Sequence, residues 1–150
     1  MRLQPGIHQD GIMTGHIEWN DAHSVGVESI DAQHRQLVVL TNRLFQAIVR
    51  DAGADSVLDV LTELERYVDY HFSHEEDLLR KHGYPADALG RHIAEHRELT
   101  NQVYGFAKKA TEDSDLIDLE VFEFLRDWTT SHLLRTDMLY ADFLRSRGAR

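Results

Sequence analysis

The stretch Tyr67 to His96, written YVDYHFSHEEDLLRKHGYPADALGRHIAEH, holds His71 and Glu75 four residues apart, then a Gly83-Tyr84-Pro85 break, then His92 and His96, again four apart. On a helix, residues i and i+4 share a face with side chains about 6 Å apart, so each pair can aim two donor groups at one point. Two such helices joined by a short break lie antiparallel and bring the pairs face to face. The pattern points to a metal site inside a helical bundle, and the rest of the chain must supply the missing donors.

Four stripes carry the helical period. Ile30, His34, Leu37, Thr41, Leu44 and Ile48 recur at spacings of three and four, the stripe of an amphipathic helix beginning near Ser29 and ended by Asp51-Ala52-Gly53. A second helix starts at Asp55 or Ser56, either of which can cap it. It runs to Gly83 with Leu58, Leu61, Leu64, Val68, His71, Glu75 and Leu78 inward. Proline bars the helical conformation at Tyr84 and suits a helix start, so a third helix follows to about Lys109, striped by Leu89, His92, His96, Leu99, Val103 and Phe106. The fourth, from about Asp115 to Arg147, shows Leu119, Phe122, Leu125, Trp128, His132, Leu139 and Phe143 inward, and Gly148 stops it. No stretch alternates as a strand requires. The expected fold is all-α, an antiparallel up-down-up-down four-helix bundle formed by residues 28–150 as a single domain. Residues 1–27, with Pro5 and four glycines, read as an extended N-terminal arm anchored by Trp19.

Composition narrows the chemistry. With 150 residues there is chain enough for one substantial core. Sixteen basic against 26 acidic side chains give a formal charge of −10, which repels nucleic acid and anionic membrane. Cysteine is absent, so disulfides, thiolate metal sites, Fe–S clusters and covalent haem are excluded, and a metal must sit on nitrogen and oxygen. The N-terminus has no apolar run of signal-peptide length, and the longest aliphatic run, Leu37 to Leu40, is too short to span a bilayer. A cytoplasmic location is expected.

Five histidines fall on inner stripes: His34, His71, His92, His96 and His132. A single core histidine is ordinarily just hydrogen-bonded. Five converging imidazoles are hard to satisfy that way, and Glu75 on the same face is an expensive buried charge unless it meets cations. Asp137 is another matter. Five residues on a regular helix place its side chain about 140° from His132, so spacing alone makes it a surface aspartate. His74 lies about 100° off the ligand face. His8 and His16 read as exposed, and His23 has no assigned role. Asp31, Tyr67 and Tyr140 can either orient ligands or serve capping and packing.

Asp31-x-Gln-His34, His71-Phe-x-x-Glu75-Glu, Gly83-Tyr-Pro, His92-x-x-x-His96 and Trp128-x-x-x-His132-x-x-x-x-Asp137, with Trp19 and the lead-in Val25-Gly-Val-Glu-Ser-Ile-Asp31, resemble the bacterial hemerythrins over about residues 17–145. The resemblance implies two non-haem iron ions under an oxo or hydroxo bridge: His92, His96 and His132 on one, His34 and His71 on the other, Glu75 and Asp137 bridging both. On that ligand set one position of two six-coordinate ions stays open, on the two-histidine iron. The implied function is reversible dioxygen binding for carriage, storage or delivery to an oxidase, with a separate reductase as a further partner. The alternatives are a peroxide or nitric oxide reductase, and an oxygen or redox sensor acting through a partner. A ferritin-like oxidase is disfavoured, because Glu-x-x-His occurs nowhere in the chain. One departure from the family is Thr129-Thr130-Ser131, where an apolar residue commonly follows the tryptophan; a hydroxyl facing the pocket would admit water.

Overall fold

A computed structural model describes residues 16–50, 53–113 and 119–150. Helix α1 (Glu28–Val49) packs on α2 (Ala54–Lys81), α2 on α3 (Ala86–Glu112), and α1 also on α4 (Leu119–Ser131). The last helix is interrupted: a π-helical turn, His132–Thr136, separates α4 from α5 (Met138–Ser146). The molecule is an all-helical four-helix bundle, with α4, the π-turn and α5 forming its fourth column and no strand among the described residues.

The turn between α2 and α3 shows how local sequence sets the antiparallel path. Gly83 adopts φ 77°, a left-handed conformation that costs glycine nothing. The Tyr84 amide then donates to the Leu79 carbonyl at 2.9 Å and the Gly83 amide to that of Arg80 at 3.1 Å, the paired bonds that satisfy a helix C-terminus. Pro85 follows as the N-cap of α3, its carbonyl accepting from Leu89 at 2.8 Å. Neither Asp55 nor Ser56 caps α2. The helix starts one residue earlier, at Ala54, with Gly53 as N-cap and no side-chain bond, so these two polar side chains stay exposed.

Two apolar clusters fill the bundle. One, including Leu40, Leu44, Leu61, Leu64, Val103 and Leu125, occupies the end near the α1–α2 connection. The other gathers Val25, Val27, Ile30, Leu79, Tyr140 and Leu144 at the opposite end. Between them, in sequence and in space, lies a layer of buried polar side chains. The segment before α1 joins this second cluster through Val25 and Val27, and the buried Asp31 carboxylate holds it there by accepting from the Val25 amide at 2.9 Å and from the Ser24 hydroxyl. Ile17 pairs with Asn42 through two bonds of 2.9 Å, and Trp19 packs between the His23 ring and the Arg35 guanidinium. His8 lies outside the described residues.

The fourth column departs from the regular helix expected of it. Leu139, expected inside, is 76% exposed, while its neighbour Tyr140 is fully buried. One extra residue in the π-turn advances the helical phase by about 100° for everything after it.

Candidate metal centre

All seven residues singled out in the sequence lie in the polar layer, and each is buried: His34 from α1, His71 and Glu75 from α2, His92 and His96 from α3, His132 and Asp137 from the fourth column. Their donor atoms form two groups, Glu75 with His92, His96, His132 and Asp137, and His34 with His71, Glu75 and Asp137, each lying within 4.8 Å. The two carboxylates belong to both groups. Glu75 Oε1 lies 2.7 Å from His92 Nε2 and 2.9 Å from His96 Nε2, whereas its Oε2 faces His71 Nε2 at 3.4 Å and His34 Nε2 at 3.6 Å. Asp137 divides likewise, Oδ1 at 2.8 Å from His132 Nε2 and Oδ2 at 2.9 Å from His34 Nε2. Each carboxylate thus turns one oxygen to each group of imidazoles.

Hydrogen bonding does not account for this packing. Among the described residues, His34 Nε2 and both Asp137 oxygens make no well-aligned hydrogen bond despite their short separations, and His71 Nε2 and His34 Nδ1 are also buried without a partner. His96 Nε2 and His132 Nε2 face each other at 3.2 Å. Donors about 2.1 Å from one ion and at right angles to each other lie about 3 Å apart, the separation found here repeatedly. A nitrogen and oxygen set without sulfur suits a borderline first-row ion such as iron.

The electrostatics are those of a site that attracts cations. Burial alone would lower the imidazoles, yet the Glu75 and Asp137 carboxylates raise His34 and His92 to about 9, and with Glu95 raise His132 to about 10. His71 goes the other way, lowered because burial outweighs its attraction to Glu75. Burial would raise both carboxylates, but the imidazoles hold Glu75 and Asp137 well below the usual carboxylate range.

Asp137 reaches the layer because of the π-turn. Its amide donates to the His132 carbonyl at 2.8 Å, an i to i+5 bond that brings residues five apart onto one face. Outside the seven, sequence reasoning missed a ring of partners on the far imidazole nitrogens: Gln33 on His71 at 2.7 Å, Glu76 on His96 at 2.8 Å, Glu95 on His132 at 2.9 Å. Glu95 also accepts from the Thr136 hydroxyl at 3.0 Å. Each of the three immediately precedes or follows one of the seven, the one signal the sequence offers. Tyr140 donates its hydroxyl to Glu75 Oε2 at 2.5 Å, and its own pKa is driven well up by burial and by the nearby carboxylates. Phe72 stacks on His96 and Trp128 on His132, with centroids 3.7 and 4.4 Å apart.

The other described histidines stand apart from this layer. His74 meets the Ser29 hydroxyl at 3.2 Å. His23 is buried and accepts from the Asn20 amide within the short 3-10 turn Asp21–His23; burial lowers its pKa. His16 is not simply exposed: it is half-buried against Phe45 and Gln46. Asp31 serves the loop rather than a histidine.

A four-helix bundle closed around a buried layer of imidazoles and shared carboxylates defines a cation-binding helical protein. The model of the hemerythrin HHE cation binding domain matches residues 25–144, and the chain belongs to the hemerythrin family. It is 31% identical over 128 residues to a bacteriohemerythrin of Clostridium acetobutylicum, covering 83% of this chain and 98% of that one. A bacteriohemerythrin of Stenotrophomonas maltophilia is 30% identical over 124 residues, covering 83% of this chain and 78% of that one. Among solved structures, a wild-type hemerythrin superposes with a TM-score of 0.79 at 27% identity, over 85% of this chain and 97% of the other. No described helix is long and apolar enough to cross a membrane.

Proposed function

We propose that His92, His96 and His132 hold one iron ion, that His34 and His71 hold a second, that Glu75 and Asp137 bridge them under an oxo or hydroxo group, and that the protein binds dioxygen reversibly at this centre. The observation that carries the reading is the division of each carboxylate, one oxygen toward each group of imidazoles. When bound, the iron pair supplies the two electrons that hold dioxygen and takes them back on release. The protein's part is to keep that exchange reversible. Two shared carboxylates offset half the charge of two divalent cations in a low-dielectric core. Tyr140 fixes the orientation of Glu75 through its hydroxyl. Phe72 and Trp128 lay aromatic faces against His96 and His132. Carriage, storage and delivery to an oxidase all fit such a site. Peroxide or nitric oxide reduction is the second reading, favoured by the buried hydroxyl-bearing Thr129 one turn before His132.

The test is metal analysis joined to the visible spectrum. Protein loaded anaerobically with ferrous iron should hold two irons per chain and give a spectrum in air that reverses when oxygen is withdrawn. Glu75→Ala and Asp137→Ala should each lose the centre, because either change leaves two cations repelling across the core. One zinc per chain, or full iron content in Glu75→Ala, overturns the assignment. Irreversible oxidation with peroxide turnover favours the reductase.

A further inference from the structure

The backing of the imidazoles is lopsided. On the three-histidine side, His96 Nδ1 lies 2.8 Å from Glu76 Oε2 and His132 Nδ1 lies 2.9 Å from Glu95 Oε1. A carboxylate only accepts, so both ring nitrogens donate, and both imidazoles lean on a full negative charge. On the two-histidine side, His71 Nδ1 donates to the neutral amide oxygen of Gln33 at 2.7 Å, and His34 Nδ1 has no partner among the described residues. The surroundings explain how the difference is maintained. Glu76 and Glu95 have side chains 17% and 36% exposed, and Glu76 borders a surface cleft of about 220 Å³ between α2 and α3, so water stabilises their charge. Gln33 is buried, where a carboxylate would carry a desolvation cost that an amide avoids.

We infer that Glu76, Glu95 and Gln33 make the two metal positions unequal: the three-histidine position is built for the more tightly held ion, whose oxidised state is the better stabilised, and the two-histidine position for the more loosely held, more exchangeable ion. A carboxylate behind an imidazole raises its basicity and hence its donation to a metal, and loss of such a partner typically costs about 10–100-fold in affinity. The inference rests on the two-ion reading and goes beyond it, because it assigns opposite roles to the two halves. It places the weakly backed ion on the side where the ligand count leaves a position open. Glu76, Glu95 and Gln33 are positioning residues that act through the imidazoles.

The experiment uses cobalt(II) as a redox-inert probe and iron for the potential. Cobalt-loaded wild type, challenged with a chelator, should release two ions per chain in two phases. Glu76→Gln and Glu95→Gln keep an acceptor oxygen but remove the charge, and each should speed the slow phase about 10-fold while leaving the fast phase within twofold. Gln33→Glu should slow the fast phase alone. With iron, the first two variants should raise the midpoint potential of the centre and Gln33→Glu should lower it. Glu95 also touches the π-turn whereas Glu76 does not, so agreement between the two separates charge from local geometry. Two ions released with phases unmoved by Glu76→Gln, or moved together, overturn the inference and leave the two-ion reading standing. One ion in a single phase overturns both.

Discussion

Single side chains decide how well such a centre is sealed. Thr129 is buried on the face of α4 that carries His132 one turn later, while Thr130 is half-buried and Ser131 exposed. The sequence leaves open which threonine points inward; the structure selects Thr129. A hydroxyl there gives an entering water a partner, and water promotes loss of the reduced state. Thr129→Leu should slow autoxidation several-fold at unchanged iron content, and Thr130→Leu should have little effect. Decay of the oxygenated spectrum in air measures both, and equal half-lives in the wild type and Thr129→Leu would contradict it. At this scale the five histidines were legible, because each replaces an apolar residue on a stripe that already reads as core. Gln33, Glu76 and Glu95 were not. Each neighbours one of the seven and so lies about 100° off the inner face, where a polar residue reads as solvated. Their role depends on which nitrogen of a neighbouring helix's histidine faces outward, and spacing along the chain carries nothing about that.

The fourth column shows where periodicity stops being a guide. A regular helix sends Asp137 to the surface and Leu139 to the core, and the π-turn reverses both outcomes. A π-turn hydrogen-bonds less favourably than an α-helix and survives where other contacts hold it. Here the holding group is Glu95 of α3, which accepts from His132 Nδ1 on one side of the turn and from the Thr136 hydroxyl on the other. Sequence alone marks none of this, since Arg135-Thr136-Asp137 suits an α-helix as well. Thr136→Val keeps the shape and removes one hydroxyl, a loss of about 1 kcal/mol, or roughly fivefold in a local opening equilibrium. The Asp137 amide, bonded to the His132 carbonyl, should then exchange with deuterium about fivefold faster, while amides in the middle of α2 keep their rates. Glu95→Ala should produce a larger effect at the same amide. Unchanged Asp137 exchange in both variants would show that the turn holds itself.

For the molecule as a whole, the polar layer divides the core into two apolar clusters, and what occupies the layer should govern how stability depends on pH. In protein stripped of metal by chelation, His34 and His92 are raised to about 9 and His132 to about 10, burial being overcome by the facing carboxylates. An imidazole raised above its unfolded value of about 6.5 stabilises the fold fully below that value, and the benefit fades as pH climbs through the folded pKa. Glu75 and Asp137 are depressed, so their contribution is present above the unfolded carboxylate value of about 4 and is lost as pH falls below it. His71 and His23, both lowered by burial, oppose the three raised imidazoles below about 6.5, two groups against three. Stripped protein should therefore melt highest between about pH 5 and 6.5 and progressively lower toward pH 9. Bound cations replace those protons and need neutral imidazoles, so loading releases protons and is favoured by rising pH. Melting temperatures of loaded and stripped protein should diverge steadily from pH 6 to pH 9 in scanning calorimetry. A stripped protein that grows more stable across that interval would mean that the carboxylates do not hold the imidazoles protonated, and that the layer is kept together by packing from the clusters on either side.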